Sequence, residues 1–155
     1  MPIDLLIDPE FSSTVTLDLA QLQASLVVVA ELTSDKRLDQ EVCVRVCGEA
    51  ESQSLNARYR GKDQPTNVLS FPAEIDLPDL DLPLGDLAIC WPVVAREAAL
   101  QNKNENDHLM HLFVHGVLHL IGFDHETDAD ADVMEALEVR ILAQLQIPNP
   151  YELCH

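Results

Sequence analysis

The histidines of this chain constrain its fold more than any other feature of the sequence. Five of the six histidines lie between positions 108 and 125. His115 and His119 are four residues apart, so on a helix they project from one face and are separated by one turn. Gly122 is expected to end that helix, and because glycine permits a positive φ angle, the chain can turn back and bring His125 to the same point. The spacing therefore predicts a helix followed by a tight turn.

A metal site is the best explanation of these three histidines. One histidine on an apolar helix face is ordinarily a core residue, but three at this spacing favour a metal. Imidazole nitrogens bind zinc at ~2.0–2.1 Å, and three protein ligands leave a fourth position for water, as in catalytic zinc sites. We therefore predict that His115, His119 and His125 bind one Zn²⁺ per chain, although nickel, cobalt and copper also accept imidazole ligands.

The residue after the first predicted ligand limits the chemistry. The pattern H-x-x-x-H-x-x-G-x-x-H is also the ligand spacing of the metzincin proteases, in which a glutamate follows the first histidine and acts as the general base. Here that residue is Gly116, which cannot take a proton, so peptide hydrolysis of that kind is not expected. The general base is left open between Asp124, His111 and no protein base. His111 lies one turn before His115, where it either orients the site, contacts substrate or packs in the core.

Length and charge exclude several classes of protein. The 155 residues fit one domain, residues 1–155. Nine Lys and Arg stand against 27 Asp and Glu, and the formal net charge of −18 should repel nucleic acid and anionic membranes at long range. No stretch has the ~18 uninterrupted apolar residues of a spanning helix, and the start of the chain lacks the basic residues of a signal peptide. We therefore expect a cytoplasmic protein.

The four cysteines fit that compartment. Cys43 and Cys47 fall on one predicted strand, where four residues span about 13 Å and place the two thiols beyond disulfide reach. Neither the spacing nor the number of pairs suits a zinc knuckle. We predict reduced, buried thiols at Cys43, Cys47, Cys90 and Cys154.

Hydrophobic periodicity and turn residues predict the element order β-α-β-α-β-β-α-α-α. Thr16 is expected to cap a helix that runs to about Leu32. Thr127 and Asp130 are expected to form the cap of the last helix. Residues 72–83 contain three prolines and four acidic residues and are expected to form an exposed loop. The order predicts an α+β fold, in which about five helices pack on a mixed four-stranded sheet.

Three of the nine basic residues, Arg58, Arg60 and Lys62, fall within five positions. A solvated helix end is one explanation, because the helix dipole favours cations there. An anion-binding patch is the other, because the guanidinium fork of arginine matches two phosphate oxygens. Charge alone leaves both explanations open. If the patch faces the metal, the pair is suited to phosphodiester cleavage, in which arginine stabilises the extra charge of the transition state.

Two blocks of the sequence resemble the YbeY-type single-strand endoribonucleases of bacteria. The first block comprises Leu55-Asn56, Tyr59–Asp63 and Pro65–Pro72, and the second runs from His115 to His125. Shorter matches are Leu84–Leu87, Met134–Glu138 and Asn149–Tyr151. The likeness covers most of the chain from about residue 40 onward, and the two main blocks together are highly specific.

The resemblance implies a zinc-dependent endoribonuclease that acts in ribosomal RNA maturation, notably at the 3′ end of the small-subunit (16S) RNA, and in ribosome quality control. It implies that His115, His119 and His125 are the zinc ligands and that Arg60 is the catalytic arginine. It also implies a strand over residues 66–72 that lines the cleft, and single-stranded precursor RNA as the substrate. Phe123 occupies the position at which many members of this family have a tyrosine. A function that depends on the tyrosine hydroxyl is therefore not carried over to this chain.

Two other functions remain open from the sequence. One is a zinc hydrolase of a non-RNA substrate, and the other is a non-catalytic ribosome assembly factor whose zinc holds the fold. The nucleophile is also open, between a zinc-bound water and the 2′-hydroxyl of the RNA. Because the net charge of −18 repels free RNA, we expect efficient action to need delivery by a basic partner, such as a ribosomal protein.

Overall fold

Four β-strands and five α-helices follow the predicted order within residues 3–15, 17–72 and 84–151, which the computed structural model describes. Short 3₁₀ turns at Pro9–Phe11 and Lys36–Asp39 precede the first helix and the second strand. The elements are β1 (Ile3–Ile7), α1 (Leu19–Thr33), β2 (Val42–Cys47), α2 (Glu49–Arg60), β3 (Val68–Pro72), β4 (Gly85–Cys90), α3 (Trp91–Leu100), α4 (Glu105–Leu120) and α5 (Asp128–Gln144).

The strands form one mixed sheet in the order β1-β2-β4-β3. β1, β2 and β4 are parallel, so Val42 lies beside both Ile3 and Gly85. β3 is the edge strand and runs antiparallel to β4, with Phe71 opposite Asp86. Parallel neighbours need a crossover connection, and α1 provides the one between β1 and β2. The predicted α+β fold with a mixed four-stranded sheet and five helices is confirmed.

α4 is the most enclosed helix of the fold. It packs against β3, α1, α3 and α5, and Phe113, Val114, Val117 and Leu118 on it are fully buried. Asn104 caps its start, because the side-chain Oδ1 accepts the backbone N–H of Asn106 at 2.8 Å. Because these elements pack against α4 on several sides, the helix is held in one orientation. The helix face that carries the histidines therefore points in a fixed direction.

Of the two helix caps predicted from the sequence, the cap of α1 is wrong and the cap of α5 is confirmed. Asp18 caps α1, because its Oδ1 accepts the backbone N–H of Ala20 at 2.9 Å, so the prediction of Thr16 as the cap is wrong. Thr16 itself lies outside the described residues. A carboxylate is as good a cap as a hydroxyl, and Asp18 stands one residue before the helix. The predicted cap of α5 is confirmed, because Thr127 Oγ1 accepts the N–H of Asp130 at 3.1 Å.

The cysteines and the acidic loop are described only in part. Cys47 and Cys90 are buried free thiols, but Cys43 is half-buried because its position on β2 alternates with the core-facing valines. Cys154 and most of the predicted loop, residues 73–83, lie outside the described residues, and Pro72 belongs to β3. Over the ranges that the structure covers, no helix combines the length and the apolar character that crossing a membrane requires.

Candidate metal centre

Three histidines converge at the end of α4. The ligand atoms of His115, His119 and His125 all lie within 4.8 Å of one another, and the Nε2 atoms of His115 and His119 are 3.1 Å apart. The ring of His125 stacks beside that of His115, with centroids 5.4 Å apart. Two of these side chains come from one helix face and the third comes from the turn that follows, as the spacing predicts. The three imidazoles are therefore close enough to bind a single metal ion.

Gly122 makes the return of His125 possible. Its φ angle is 102°, which residues with a side chain rarely adopt. The N–H of Gly122 donates to the His119 carbonyl at 3.1 Å, and the N–H of Phe123 donates to the Leu118 carbonyl at 3.0 Å. These two bonds close the last turn of α4 and reverse the chain, in the manner of a glycine-terminated helix end. The turn thus positions the third imidazole through the backbone.

A buried carboxylate orients the first histidine. Glu138 on α5 is 0% exposed, and its Oε1 accepts hydrogen bonds from His115 Nδ1 at 3.0 Å and from His111 Nε2 at 2.9 Å. The hydroxyl of Tyr151 donates to the other carboxylate oxygen at 2.9 Å. Because His115 uses Nδ1 for this bond, its Nε2 is the nitrogen that faces the other histidines. Such a carboxylate–histidine pair fixes the ring and increases its basicity as a metal ligand.

The electrostatics of the site agree with metal binding. Burial favours a higher pKa for the Glu138 carboxyl, but the hydrogen bonds from His111 and His115 outweigh it and lower the pKa to about 2. Burial, and after it the neighbouring rings of His115 and His125, lower the pKa of His119 to about 4. His119 is therefore neutral at pH 7 with a lone pair available. A neutral imidazole near an ionised carboxylate suits a zinc ion.

Close packing explains why glycine follows the first histidine. A Cβ atom on Gly116 would lie 2.7 Å from Cδ2 of Leu87 on β4 and 3.3 Å from Oγ of Ser70 on β3. Ser70 Oγ also donates to the Gly116 carbonyl at 3.3 Å. The sheet therefore touches the backbone of α4 directly beside His115. A glutamate at position 116 has no room there, so a base cannot occupy the place that it has in the metzincins.

The basic segment lies at the C-terminal end of α2. Arg60 is the last residue of the helix, is exposed, and forms no ion pair with the carboxylates of the described residues. Its charge contributes, as the smallest of the causes, to the lowered pKa of His119, so the guanidinium lies within electrostatic range of that histidine. Arg58 instead lies over the ring of Tyr59, 5.4 Å from the centroid, and Tyr59 contacts the edge of Phe71 on β3. The end of α2 thus presents an exposed cation, Arg60, within electrostatic range of His119, and an exposed aromatic ring, Tyr59, packed on β3.

The family of the chain follows from its comparison with known proteins. The family model described as Endoribonuclease YbeY matches residues 10–146. This chain belongs to the YbeY family. The Endoribonuclease YbeY of Acinetobacter baumannii is 49% identical over 158 residues, which cover 98% of this chain and 99% of that protein. The Endoribonuclease YbeY of Alteromonas mediterranea is 58% identical over 115 residues, which cover 74% of this chain and 72% of the relative.

A solved structure supports the fold assigned to this YbeY family member. The solution structure of TM1509 from Thermotoga maritima matches with a TM-score of 0.56 at 25% sequence identity. The match covers 93% of this chain and 91% of the other chain. The arrangement of sheet and helices around the metal centre is therefore one that an experimentally determined protein also adopts.

The two candidate bases of this YbeY family member have different surroundings. His111 is buried and bonded through Nε2 to Glu138 and to the Tyr151 hydroxyl, so it acts on His115 only through the shared carboxylate. Asp124 is exposed on the turn before His125, where its Oδ1 accepts the N–H of Glu126 at 3.3 Å.

No role for Glu138 or Tyr151 was predicted from the sequence. A signal for Glu138 existed, because it occupies the apolar stripe of α5 that also contains Met134, Ile141 and Leu142. A carboxylate at a core position needs a buried partner, and the only cluster of histidines in the sequence could have been proposed as that partner.

Proposed function

We propose that this chain is a zinc-dependent endoribonuclease of single-stranded RNA, built as one domain over residues 1–155. The convergence of His115, His119 and His125, with the exposed Arg60 within electrostatic range of His119, is the observation that carries the proposal. Relatives named Endoribonuclease YbeY, similar over nearly the whole chain, support RNA as the substrate. The three histidines could hold a metal and Arg60 supplies a cation, and both groups can stabilise the charge that develops in phosphodiester cleavage.

His115, His119 and His125 would hold the zinc ion, with Glu138 orienting the first of them. When bound, zinc supplies a Lewis acid and lowers the pKa of a coordinated water. Three neutral nitrogen donors are the reason to prefer zinc over magnesium or calcium, which take oxygen ligands. The chain's own residues then determine how RNA is presented to this centre.

Arg60 would bind the scissile phosphate. Its guanidinium carries several donors in a planar fork, can bond two phosphate oxygens at once, and stabilises the charge that develops on them during cleavage. Because Arg60 has no ion pair with a described carboxylate, no ion pair among the described residues has to break when a phosphate arrives. Asp124 is the better-placed protein base, since it is exposed beside His125, whereas His111 is enclosed by Glu138 and Tyr151. The attacking group is either water or the 2′-hydroxyl of the RNA.

The cellular role that we propose is maturation of precursor ribosomal RNA in the cytoplasm, at the 3′ end of the 16S RNA, together with ribosome quality control. The net charge of −18 supports a ribosomal protein partner, because a strongly acidic surface attracts basic proteins and repels free RNA. The enzyme would therefore act on RNA that such a partner presents. Added salt should at first improve the cleavage of free RNA, because screening weakens the repulsion.

A hydrolase of peptides is a weaker proposal, because Leu87 and Ser70 leave no space for a glutamate at position 116. A non-catalytic assembly factor would need the zinc only for folding. The exposed Arg60 beside the histidines argues for chemistry instead, since a purely structural zinc site has no need of a cation beside it.

Cleavage of one 5′-labelled RNA, offered as a single strand and as a perfect duplex, tests the proposal. We expect cleavage inside the single strand, little cleavage of the duplex, loss of activity on chelation, and recovery when zinc is restored. The His115→Ala protein purified in the same way should be inactive. Equal cleavage by His115→Ala would identify a contaminating nuclease and overturn the proposal. Mapping the new ends as cyclic or linear phosphates identifies the nucleophile.

A further inference from the structure

The three proposed zinc ligands are not held in the same way. The ring of His115 is bonded to the buried carboxylate of Glu138 at 3.0 Å. The side chain of His125 is exposed; within the described residues its ring lies against the rings of His115 and His119, at centroid distances of 5.4 and 5.0 Å, but makes no hydrogen bond. The position of the third imidazole therefore depends on the backbone of residues 121–125.

A side chain from a distant segment bonds to that backbone. Nη2 of Arg37, on the 3₁₀ turn between α1 and β2, donates to the carbonyl oxygen of Ile121 at 2.8 Å. Ile121 ends α4 and directly precedes Gly122, where the chain reverses. The last carbonyls of a helix have no partner inside the helix and form the negative end of its dipole, so a cationic donor suits them well.

The guanidinium of Arg37 is itself held in place. Asp35 accepts hydrogen bonds from its Nε at 3.0 Å and from its Nη2 at 2.7 Å, and the bond from Arg37 lowers the pKa of the Asp35 carboxyl. The backbone N–H of Arg37 donates to the same carboxylate at 2.9 Å, and its carbonyl accepts the N–H of Gln40 at 2.9 Å. The next residue, Leu38, is fully buried and anchors the 3₁₀ turn in the core. Arg37 therefore connects the end of α4 to a fixed point.

A general stabilisation of α4 is the alternative role of this bond. The middle of the helix, around Phe113 and Val114, is fully buried and packed by neighbouring elements, so its structure does not depend on one bond beyond the last turn. The turn after the helix has fewer supports, because Gly122 and His125 are exposed and Phe123 is only partly buried against the core. Loss of the Arg37 bond should therefore loosen the turn and leave the helix unchanged.

We propose that Arg37 is a positioning residue of the metal centre, which holds the turn that presents His125 by bonding the Ile121 carbonyl. This inference rests on the proposed function, because it takes His125 to be a zinc ligand. Arg37 acts through the backbone. A looser turn would have to be ordered when the metal binds, and the conformational entropy lost in that step would weaken the binding.

Zinc affinity, measured by competition with a chelator of known affinity, is the first test. Arg37→Ala should bind zinc about two- to tenfold more weakly, as the loss of one hydrogen bond predicts. Arg37→Lys keeps the charge and one donor without the fork that Asp35 holds, and should recover part of the affinity. Wild-type affinity in Arg37→Ala would overturn the inference.

Arg45→Ala is the matched control. The side chains of Arg45 and Arg37 are 48% and 47% exposed, and each is paired with a carboxylate at 2.7 Å, which for Arg45 belongs to Glu51. Removing Arg45 changes the net charge by the same amount but breaks no bond to the turn. Its zinc affinity should stay at the wild-type level. An equal loss of affinity in Arg45→Ala would assign the effect to net charge and contradict the positioning role.

Amide hydrogen exchange of the zinc-free protein distinguishes the turn from the helix. In Arg37→Ala the amides of Gly122 and Phe123, which close the turn, should exchange about two- to tenfold faster than in the wild type. The amide of Val114, in the middle of α4, should keep its wild-type rate. Faster exchange at Val114 by the same factor would show that Arg37 stabilises the helix as a whole, and unchanged exchange at the turn would show that it holds nothing there. Either result would overturn the inference.

The same preparations separate this inference from the proposed function. Cleavage of single-stranded RNA by the wild-type protein, measured in parallel, reports on the endoribonuclease alone. If the wild type cleaves RNA but Arg37→Ala binds zinc as tightly, only the role of Arg37 fails. If Arg37→Ala binds zinc more weakly and its turn is loosened, but the zinc-loaded wild type cleaves no RNA, the proposed function fails and the positioning role remains.

Discussion

The two sides of the candidate site are held by different means. On the histidine side, α4 is enclosed by its neighbours, and Glu138, which is 0% exposed, bonds His115 at 3.0 Å. On the arginine side, Arg60 is exposed at the end of α2, beside a Tyr59 that is 57% exposed. Two of the three proposed metal ligands, His115 and His119, are therefore held by an enclosed helix, whereas the cation at the end of α2 can follow a phosphate. Substitutions on the first side should change metal affinity or folding, and those on the second should change catalysis alone.

The largest effect is expected on the arginine side. Arg60→Ala should lower the cleavage rate about 100- to 1,000-fold, because the developing charge on the phosphate loses its donors. Arg60→Lys should recover only part of this loss, since lysine keeps the charge without the planar fork. Single-turnover cleavage of single-stranded RNA measures both variants. Bound zinc should remain at the wild-type level, and loss of zinc in Arg60→Ala would contradict the separation of the two sides.

Arg58→Ala is the matched control for Arg60. Arg58 is two residues away on the same helix end, but its guanidinium lies over the Tyr59 ring at 5.4 Å. Arg58→Ala removes one positive charge, as Arg60→Ala does. It leaves in place Arg60, which is the group within electrostatic range of His119. We expect a much smaller loss of cleavage rate, and an equal loss would assign the effect to net charge rather than to position.

Glu138→Gln tests the support of the histidine side. The amide is nearly the same size as the carboxylate but carries no charge, so it holds His115 less firmly and makes it a weaker ligand. Zinc affinity should fall about 10- to 100-fold, as for other orienting partners of metal-binding histidines. Competition with a chelator of known affinity measures it. Tyr151→Phe removes only one hydrogen-bond donor to the same carboxylate and should lower the zinc affinity less. An unchanged zinc affinity in Glu138→Gln would show that His115 needs no support from the carboxylate.

The smallest effect is expected where the sheet touches α4. Gly116→Ala gains ~1 kcal/mol of helix propensity but forces a methyl group against Leu87, at a cost of about 1–3 kcal/mol. We expect the free energy of unfolding to fall by about 1 kcal/mol in a denaturant titration. Leu87→Val should relieve part of that loss in the double variant. A higher free energy of unfolding in Gly116→Ala would contradict this prediction. It would mean that the gain in helix propensity outweighs the close contact with Leu87.

The features that were predictable from the sequence are those that local spacing encodes. The positions of His115, His119 and His125 follow from the period of the helix and from the glycine at 122, and the structure brings the three rings together. The element order follows in the same way from periodicity and turn residues. The cap of α1 was missed because Thr16 and Asp18 are both good capping residues, and only the observed backbone distinguishes them.

The features that were not predictable depend on contacts between distant segments. Glu138 lies 23 residues after His115, and nothing local indicates that α5 presents it to α4. The steric reason for Gly116 comes from β3 and β4, and the sequence indicated only that the residue cannot act as a base. The electrostatic effect of Arg60 on His119 likewise depends on how α2 packs on β4 and α3. Tertiary packing therefore supplies the second half of the site.

The central claim is that a metal bound by three histidines is required for RNA cleavage. The most direct test measures bound zinc per chain and cleavage of single-stranded RNA on the same preparations of the wild-type protein and of His125→Ala, the ligand that comes from the exposed turn. We expect about one zinc per wild-type chain, with active cleavage, and the loss of both in a folded His125→Ala protein. Wild-type cleavage by zinc-free His125→Ala would contradict it.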